Sequence, residues 1–171
     1  MPNSFPVKTA QRIIIRPLIR ADVAELRSIL QNTNVFGEEE IVTAVELMDV
    51  FLDDPNQEDY DIYTALTSGG DVAGYVCLGP RPLTKGTFDL YWIAVKPSVH
   101  NLGIGKELSD FAERVVKSQG GRLFLAETSS LEKYENTRRF YLRRGYQEVA
   151  RIADYYTIGD DLVVYGKYLS Q

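Results

Sequence analysis

The chain has 171 residues, 44% of them hydrophobic and 25% charged, with a formal net charge of −5. That balance suits one soluble globular domain over residues 1–171, large enough to bury a full core. The acidic excess argues against a general nucleic-acid binder, which needs a basic face to displace counterions, and leaves cationic small molecules or peptides as partners.

No apolar run approaches the roughly 20 residues that cross a bilayer, and the opening residues carry no basic-then-apolar leader. No membrane partner and a cytoplasmic location are therefore expected. The single cysteine, Cys77, has no partner for an internal disulfide, and in the apolar run 72–78 it reads as a small buried hydrophobe. The single histidine, His100, belongs to no usual metal cluster.

Residues 12–16 alternate charged and apolar side chains as a first strand. Arg20-Ala21-Asp22 then opens a helix with Val23, Leu26, Ile29 and Leu30 on one side. After a break at 32–37, residues 38–52 read as a second helix. Acids in its first turn suit the dipole, and Ile41, Val45, Met48 and Leu52 form its stripe. Strands are expected at 60–66 and 72–78, joined by Ser68-Gly69-Gly70-Asp71, whose glycines supply the positive φ of a tight hairpin. Residues 88–95 are a nearly continuous aromatic and β-branched run stopped by Pro97. Ile104, Leu108, Phe111, Ala112 and Val115 recur at helical spacing. A short strand at 122–127, an arginine-rich helix, and a hairpin of 147–156 with 162–169 complete the chain. Periodicity alone yields an α+β or α/β mixture.

The segment from Val95 to Lys106 runs from a strand through a glycine-bearing loop into a helix. Gly103 and Gly105 fall at the helix start, where the first N–H groups lack intrahelical partners and no Cβ blocks an approaching anion. A Walker A loop is disfavoured because His100 holds its first glycine position and Glu107 its hydroxyl position. A Rossmann fingerprint is disfavoured because position 108 is Leu and the loop lies past mid-chain. Downstream, Tyr134 to Tyr146 reads as a helix closed by Gly145 at the left-handed C′ position, with Arg143 and Arg144 at its negative end.

These two segments, in this order and spacing, resemble the pyrophosphate loop and the aromatic-Tyr-x-x-x-Gly-aromatic helix of the GCN5-related N-acetyltransferases (GNAT). The resemblance covers about residues 12–169, and its specific motifs lie between 89 and 146. It implies a GNAT-like α/β fold, an α+β mixed sheet, mostly antiparallel, splayed at the coenzyme site and flanked by helices. It implies an enzyme that moves an acetyl group from acetyl-coenzyme A to a primary amine of a small molecule or peptide, by direct attack on the thioester.

The same resemblance implies that Ala94, Val95, His100, Asn101, Leu102, Gly103, Ile104, Gly105 and Lys106 contact the coenzyme. In the family the strand bulges at the position of Val95, freeing its amide as an oxyanion donor. Asp89 aligns with a catalytic carboxylate and is the first base candidate, and Glu127, at the end of the neighbouring strand, is the second. Tyr141 takes the place of the tyrosine that protonates the departing thiolate.

Two positions depart from the family pattern. His100 stands where Gln or Arg is usual, which keeps an acyl-coenzyme A binding module without transfer as the alternative. Tyr134 replaces an asparagine that contacts the coenzyme; it is placed at the pantetheine by its hydroxyl or at the core by packing, and Asn136 does not inherit that role. The sequence does not choose between phosphate and solvent for Arg138 and Arg139. Asp154, Asp160 and Asp161, close to Tyr155 and Tyr156, are either turn acids or an acidic, aromatic rim for a cationic amine. A homodimer is left open.

Overall fold

The computed structural model describes residues 12–170. In chain order the elements are β1 (Ile14–Pro17), α1 (Val23–Asn32), α2 (Glu38–Asp53), β2 (Asp61–Leu66), β3 (Val72–Pro80), β4 (Thr87–Val95), α3 (Ile104–Ser118), β5 (Leu123–Ser129), α4 (Glu135–Arg143), β6 (Gln147–Thr157) and β7 (Asp160–Tyr168). The expected succession is observed, with 3₁₀ turns before α1, α3 and α4.

One seven-stranded mixed sheet runs in the order β1-β2-β3-β4-β5-β7-β6. Hairpins and a helical connection make β1 to β4 antiparallel, whereas β4 and β5 are parallel because α3 carries the chain back across one face. Each face buries its own core. Leu108, Ala112 and Val116 of α3 pack with Phe124, Ala126 and Val163 on one side. Leu26, Ile29 and Leu30 of α1 and Ile41, Ala44 and Met48 of α2 pack with Ile62, Tyr75 and Cys77 on the other. Fully burying such a side chain contributes about 1.5–3 kcal/mol, so these stripes hold the helices to the sheet. Cys77 is buried as expected, and burial pushes its thiol pKa up.

Two irregularities of β4 position the site. Its ladder with β5 joins only Thr87–Leu90 to Leu123–Ala126, so the strands part beyond Leu90 and Ala126. Its ladder with β3 slips between Cys77↔Trp92 and Leu78↔Leu90, leaving Tyr91 as a bulge. The expected bulge at Val95 is thus corrected: Val95 stays in register with Gly74, four residues beyond the bulge.

The bulge resets the alternation of faces. Phe88 and Leu90 before it, and Ile93 and Val95 after it, all pack on the α3 face, while Trp92 and Ala94 join the α1/α2 face. Val95 still has a free amide, for a reason other than a bulge. The Lys96 N–H donates to the Ala73 carbonyl at 2.8 Å, so the adjacent Val95/Gly74 pair is a non-hydrogen-bonded one whose Val95 N–H and C=O point toward the splay.

Candidate functional site

The first wall of the candidate site begins at the start of α3. Gly103 is its N-cap at φ +77°, a left-handed conformation that glycine adopts without strain. A Cβ on Gly105 would lie 3.3 Å from the Phe140 ring, so glycine there lets α3 sit close against α4. The segment Pro97–Leu102 is a kinked 3₁₀ turn with Pro at its start, where no backbone donor is lost. The His100 Nε2–H donates to the Val95 carbonyl at 2.8 Å. Imidazole therefore ties the turn back to the strand, with the acceptor's chemistry fixing the proton on Nε2.

A cleft of about 690 Å³ opens between this turn, the end of β4 and α4. Of the expected coenzyme contacts, Ala94, Val95, His100, Asn101, Gly103, Gly105 and Lys106 line it. Leu102 is exposed and Ile104 buried, and neither is on its wall. Asn136, which the sequence reading set aside, does line it, together with Phe140, Arg143 and Arg144. Their spacing of four, three and one residues marks one face of α4, and that helical register was legible in the sequence.

The positive charge at this cleft is organised by Asp110. Its carboxylate receives the Lys106 ammonium at 2.7 Å and also pairs with Arg144. Partial burial raises the Asp110 pKa, but these cations outweigh it and hold the carboxyl below its ordinary value. Arg138 and Arg139 are not on the wall of this cleft. Arg138 donates to the Ser129 and Leu131 carbonyls at 2.7 and 2.8 Å, and Arg139 pairs with Glu135 one turn away on the helix surface.

A second cleft of about 340 Å³ opens where β4 and β5 part, on the α2 side of the sheet. Asp89 and Glu127 both line it and share one cation: Arg81 Nη1 lies 2.8 Å from Asp89 and 3.4 Å from Glu127. Burial lifts the Asp89 pKa above that of an ordinary carboxyl; Arg81 opposes the shift and the charge of Glu127 adds to it. Its aromatic wall is Phe36, Tyr91, Trp92 and Tyr156, with Phe36 and Trp92 in contact at a centroid distance of 5.2 Å. Phe36 lines both clefts. Sequence reasoning missed Arg81, which follows β3 and reaches Asp89 diagonally across the β3–β4 hairpin.

Tyr134, expected among the coenzyme contacts, is not on the wall of the first cleft. Its hydroxyl donates to the Glu40 carboxylate, with Oε1 at 2.9 Å and Oε2 at 3.0 Å, and so ties the start of α4 to the first turn of α2. Burial, then Glu40, raises the Tyr134 pKa.

Tyr141 packs against Phe140, Tyr146 and Tyr165, is 5% exposed, and is on the wall of neither cleft. Burial raises its pKa, which keeps the phenol protonated. Unlike Tyr75 and Tyr146, it is not among the sealed hydroxyls without a partner.

Two of the three acids of the last hairpin, Asp154 and Asp161, bond within it, and Asp160 bonds to β5. Asp161 accepts the Asp154 N–H at 3.0 Å, Asp154 accepts the Gly159 N–H at 2.6 Å, and Asp160 accepts the Ser129 hydroxyl at 2.5 Å. Asp154 and Asp161 hold a wide irregularity between Ile152 and Thr157, from which Tyr156 reaches the second cleft.

Comparisons with known proteins agree with this architecture. The Acetyltransferase (GNAT) family profile matches residues 24–146. A crystal structure from Desulfovibrio desulfuricans, described as a GNAT-family acetyltransferase, is 38% identical with a TM-score of 0.88, covering 93% of this chain and all of that one. The Escherichia coli ribosomal-protein-S18-alanine N-acetyltransferase has the same fold at 18% identity and a TM-score of 0.71, covering 94% of this chain and 96% of its own. An aminoglycoside 6′-N-acetyltransferase in complex with coenzyme A does so at 17% and 0.72, covering 92% and 98%. The chain matches no curated protein. No helix among the described residues is long and apolar enough to cross a membrane. With a family match over most of its length and a relative above 30% identity aligned end to end, this chain is an acyltransferase of the GNAT acetyltransferase family.

Proposed function

We propose that this acyltransferase moves an acetyl group from acetyl-coenzyme A to a primary amine of a small molecule or peptide. The observation that carries this reading is the splay of β4 from β5, with a glycine-bearing helix start on one side and a carboxylate-lined cleft on the other. The α3 N–H groups and the Lys106, Arg143 and Arg144 cations suit a pyrophosphate, and the split strand edge gives an acyl-pantetheine a route to the second cleft. Acetyl-coenzyme A supplies the activated acyl group.

Direct transfer forms an N–C bond and breaks a C–S bond. A lysine-like amine with pKa about 10.4 is neutral in roughly one molecule in 2,500 at pH 7, so a base contributes strongly. We favour Asp89 for that role over Glu127, because it is the more buried of the two and burial raises its pKa. The Val95 N–H, free toward the splay, would donate to the developing oxyanion. The thiolate leaves with the electron pair of the C–S bond and takes a proton; Tyr141, held neutral, is the proposed donor.

A panel of amines assayed with acetyl-coenzyme A for free thiol tests the reading. Amine-dependent thiol release at one or more members is the expected result. Coenzyme A binding without release across amino acids, polyamines, aminoglycosides and N-terminal peptides would instead establish a binding module.

A further inference from the structure

The acceptor cleft is short of positive charge, and the shortage has a direction. Three carboxylates line it, Glu40, Asp89 and Glu127, against the single guanidinium of Arg81. Arg81 is already committed to Asp89 and Glu127. Glu40 has no cation within salt-bridge distance among the described residues. Its partners are neutral donors: the Tyr134 hydroxyl at 2.9 Å and the Gly37 N–H at 2.7 Å. These bonds fix the carboxylate in place without neutralising it. The same cleft is lined by the aromatic side chains of Phe36, Trp92 and Tyr156, surroundings that favour a cation and leave a carboxylate unpaired.

We infer that the acceptor carries a second cationic group besides the amine that is acetylated, and no carboxylate. The reacting nitrogen sits at the splay beside Asp89, where it must lose its proton. The second group stays charged and is held toward Glu40 by that carboxylate and the aromatic wall. A linear diamine has this chemistry. An amino acid does not, because its carboxylate would meet Glu40 and Glu127 with Arg81 already occupied. The cleft, at about 340 Å³, is at the small end of ligand sites and suits a compact dication. This inference rests on the transfer reading above and narrows its acceptor.

The test uses the full chain with acetyl-coenzyme A and three matched acceptors from butyl to hexyl length: the n-alkylamine, the α,ω-diamine and the ω-amino acid. Thiol release is measured across a range of ionic strength, and binding of each acceptor to the coenzyme A-bound protein is measured by calorimetry. A charge-assisted contact predicts kcat/KM for the diamine about tenfold or more above the alkylamine, the amino acid lowest, and the diamine advantage shrinking with salt. Glu40→Gln keeps an oxygen for the local hydrogen bonds and removes the charge; it is expected to lower the diamine-to-alkylamine ratio by about tenfold. A diamine that binds and reacts no better than the alkylamine, an amino acid that surpasses both, or an unchanged ratio in folded Glu40→Gln overturns the second-cation inference while leaving amine transfer intact. No thiol release from any of the three, with release from another member of the amine panel, overturns this inference alone; coenzyme A binding with no release from any member of the panel removes the transfer reading, and this inference with it.

Discussion

At the scale of single residues, Asp89 combines two opposing demands. Burial raises its pKa and the adjacent guanidinium resists that rise, so the carboxyl is poised to take a proton while still ionising. If Asp89 is the base, kcat/KM should climb with pH through its raised pKa, and Asp89→Asn should depress the rate most at low pH, with partial rescue at high pH. Glu127→Gln measured in parallel should show the smaller loss and no rescue; a larger, rescued loss there would reverse the assignment. Arg81→Met removes the opposing cation, which should move the acid limb of the profile to higher pH, and an unmoved limb would show that another group sets it. The same shift bears on stability. A carboxyl whose pKa is raised on folding adds stability fully below its unfolded value of about 3.9 and loses it as pH rises through the folded value. Asp89→Asn should therefore flatten the fall of Tm with pH above that point. Tyr141→Phe should leave coenzyme affinity within a few-fold and lower kcat by roughly 10²–10⁴ if the phenol protonates the thiolate. Full kcat in Tyr141→Phe, with chemistry limiting, would make Tyr141 a packing residue among its aromatic neighbours.

At the scale of elements, the start of α3 depends on two glycines for different reasons. Gly103 is needed for its positive φ, and Gly105 for the 3.3 Å approach of Phe140. Gly105→Val should displace α4 from the turn and abolish the thermal shift given by coenzyme A in a protein that still folds; an undiminished shift would detach the helix start from the ligand. The entry to α1 has a comparable dependence on Asp22. Its carboxylate is 3% exposed, accepts two bonds from Arg16 at 2.7 and 2.9 Å, and accepts the Ile19 N–H at 3.1 Å. Burial works against ionisation there, but Arg16 and the backbone donor prevail and lower the pKa. This contribution is present above about pH 3.9 and lost as pH falls through the depressed value. Asp22→Ala leaves Arg16 facing an empty site and should cost about 3 kcal/mol in chemical denaturation at neutral pH. A loss no larger than that of an exposed ion pair would show that the β1–α1 junction is held by Leu18 and Leu26 instead.

At the scale of the whole molecule, the order of elements was legible because each carries a strong period and a turn signal of its own. The splay was legible only through the family resemblance, since no local pattern marks where two parallel strands part. Tyr91 explains why the cleft beside Asp89 was harder to read. A bulge inside an unbroken apolar run leaves no trace in the alternation until the facing strand is known, so Asp89 and Glu127 could be nominated while the faces taken by Tyr91 and Trp92 could not. Arg81 and Glu40 were invisible for related reasons: Arg81 meets Asp89 only through the diagonal register of the β3–β4 hairpin, and Glu40 comes from α2, where a pairing such as that with Tyr134, 94 residues away, has no sequence period. The resulting molecule is two packed faces joined along a sheet that is continuous at one end of β4 and open at the other. A ligand lodged in the opening contacts both halves, and binding to the folded state alone stabilises it by about 2.7 kcal/mol at a hundredfold excess over Kd. Coenzyme A should therefore raise Tm, and adenosine, which lacks the pyrophosphate and pantetheine, should raise it far less. Hydrogen exchange should locate the effect at the Ile93 and Val95 amides, which alternate away from β3 and stand unpaired at the splay. Their exchange should slow on addition of coenzyme A while that of Trp92 and Ala94, already bonded to β3, changes little. Uniform protection across β4, or equal shifts from the two ligands, would mean that the coenzyme does not enter the opening between the strands.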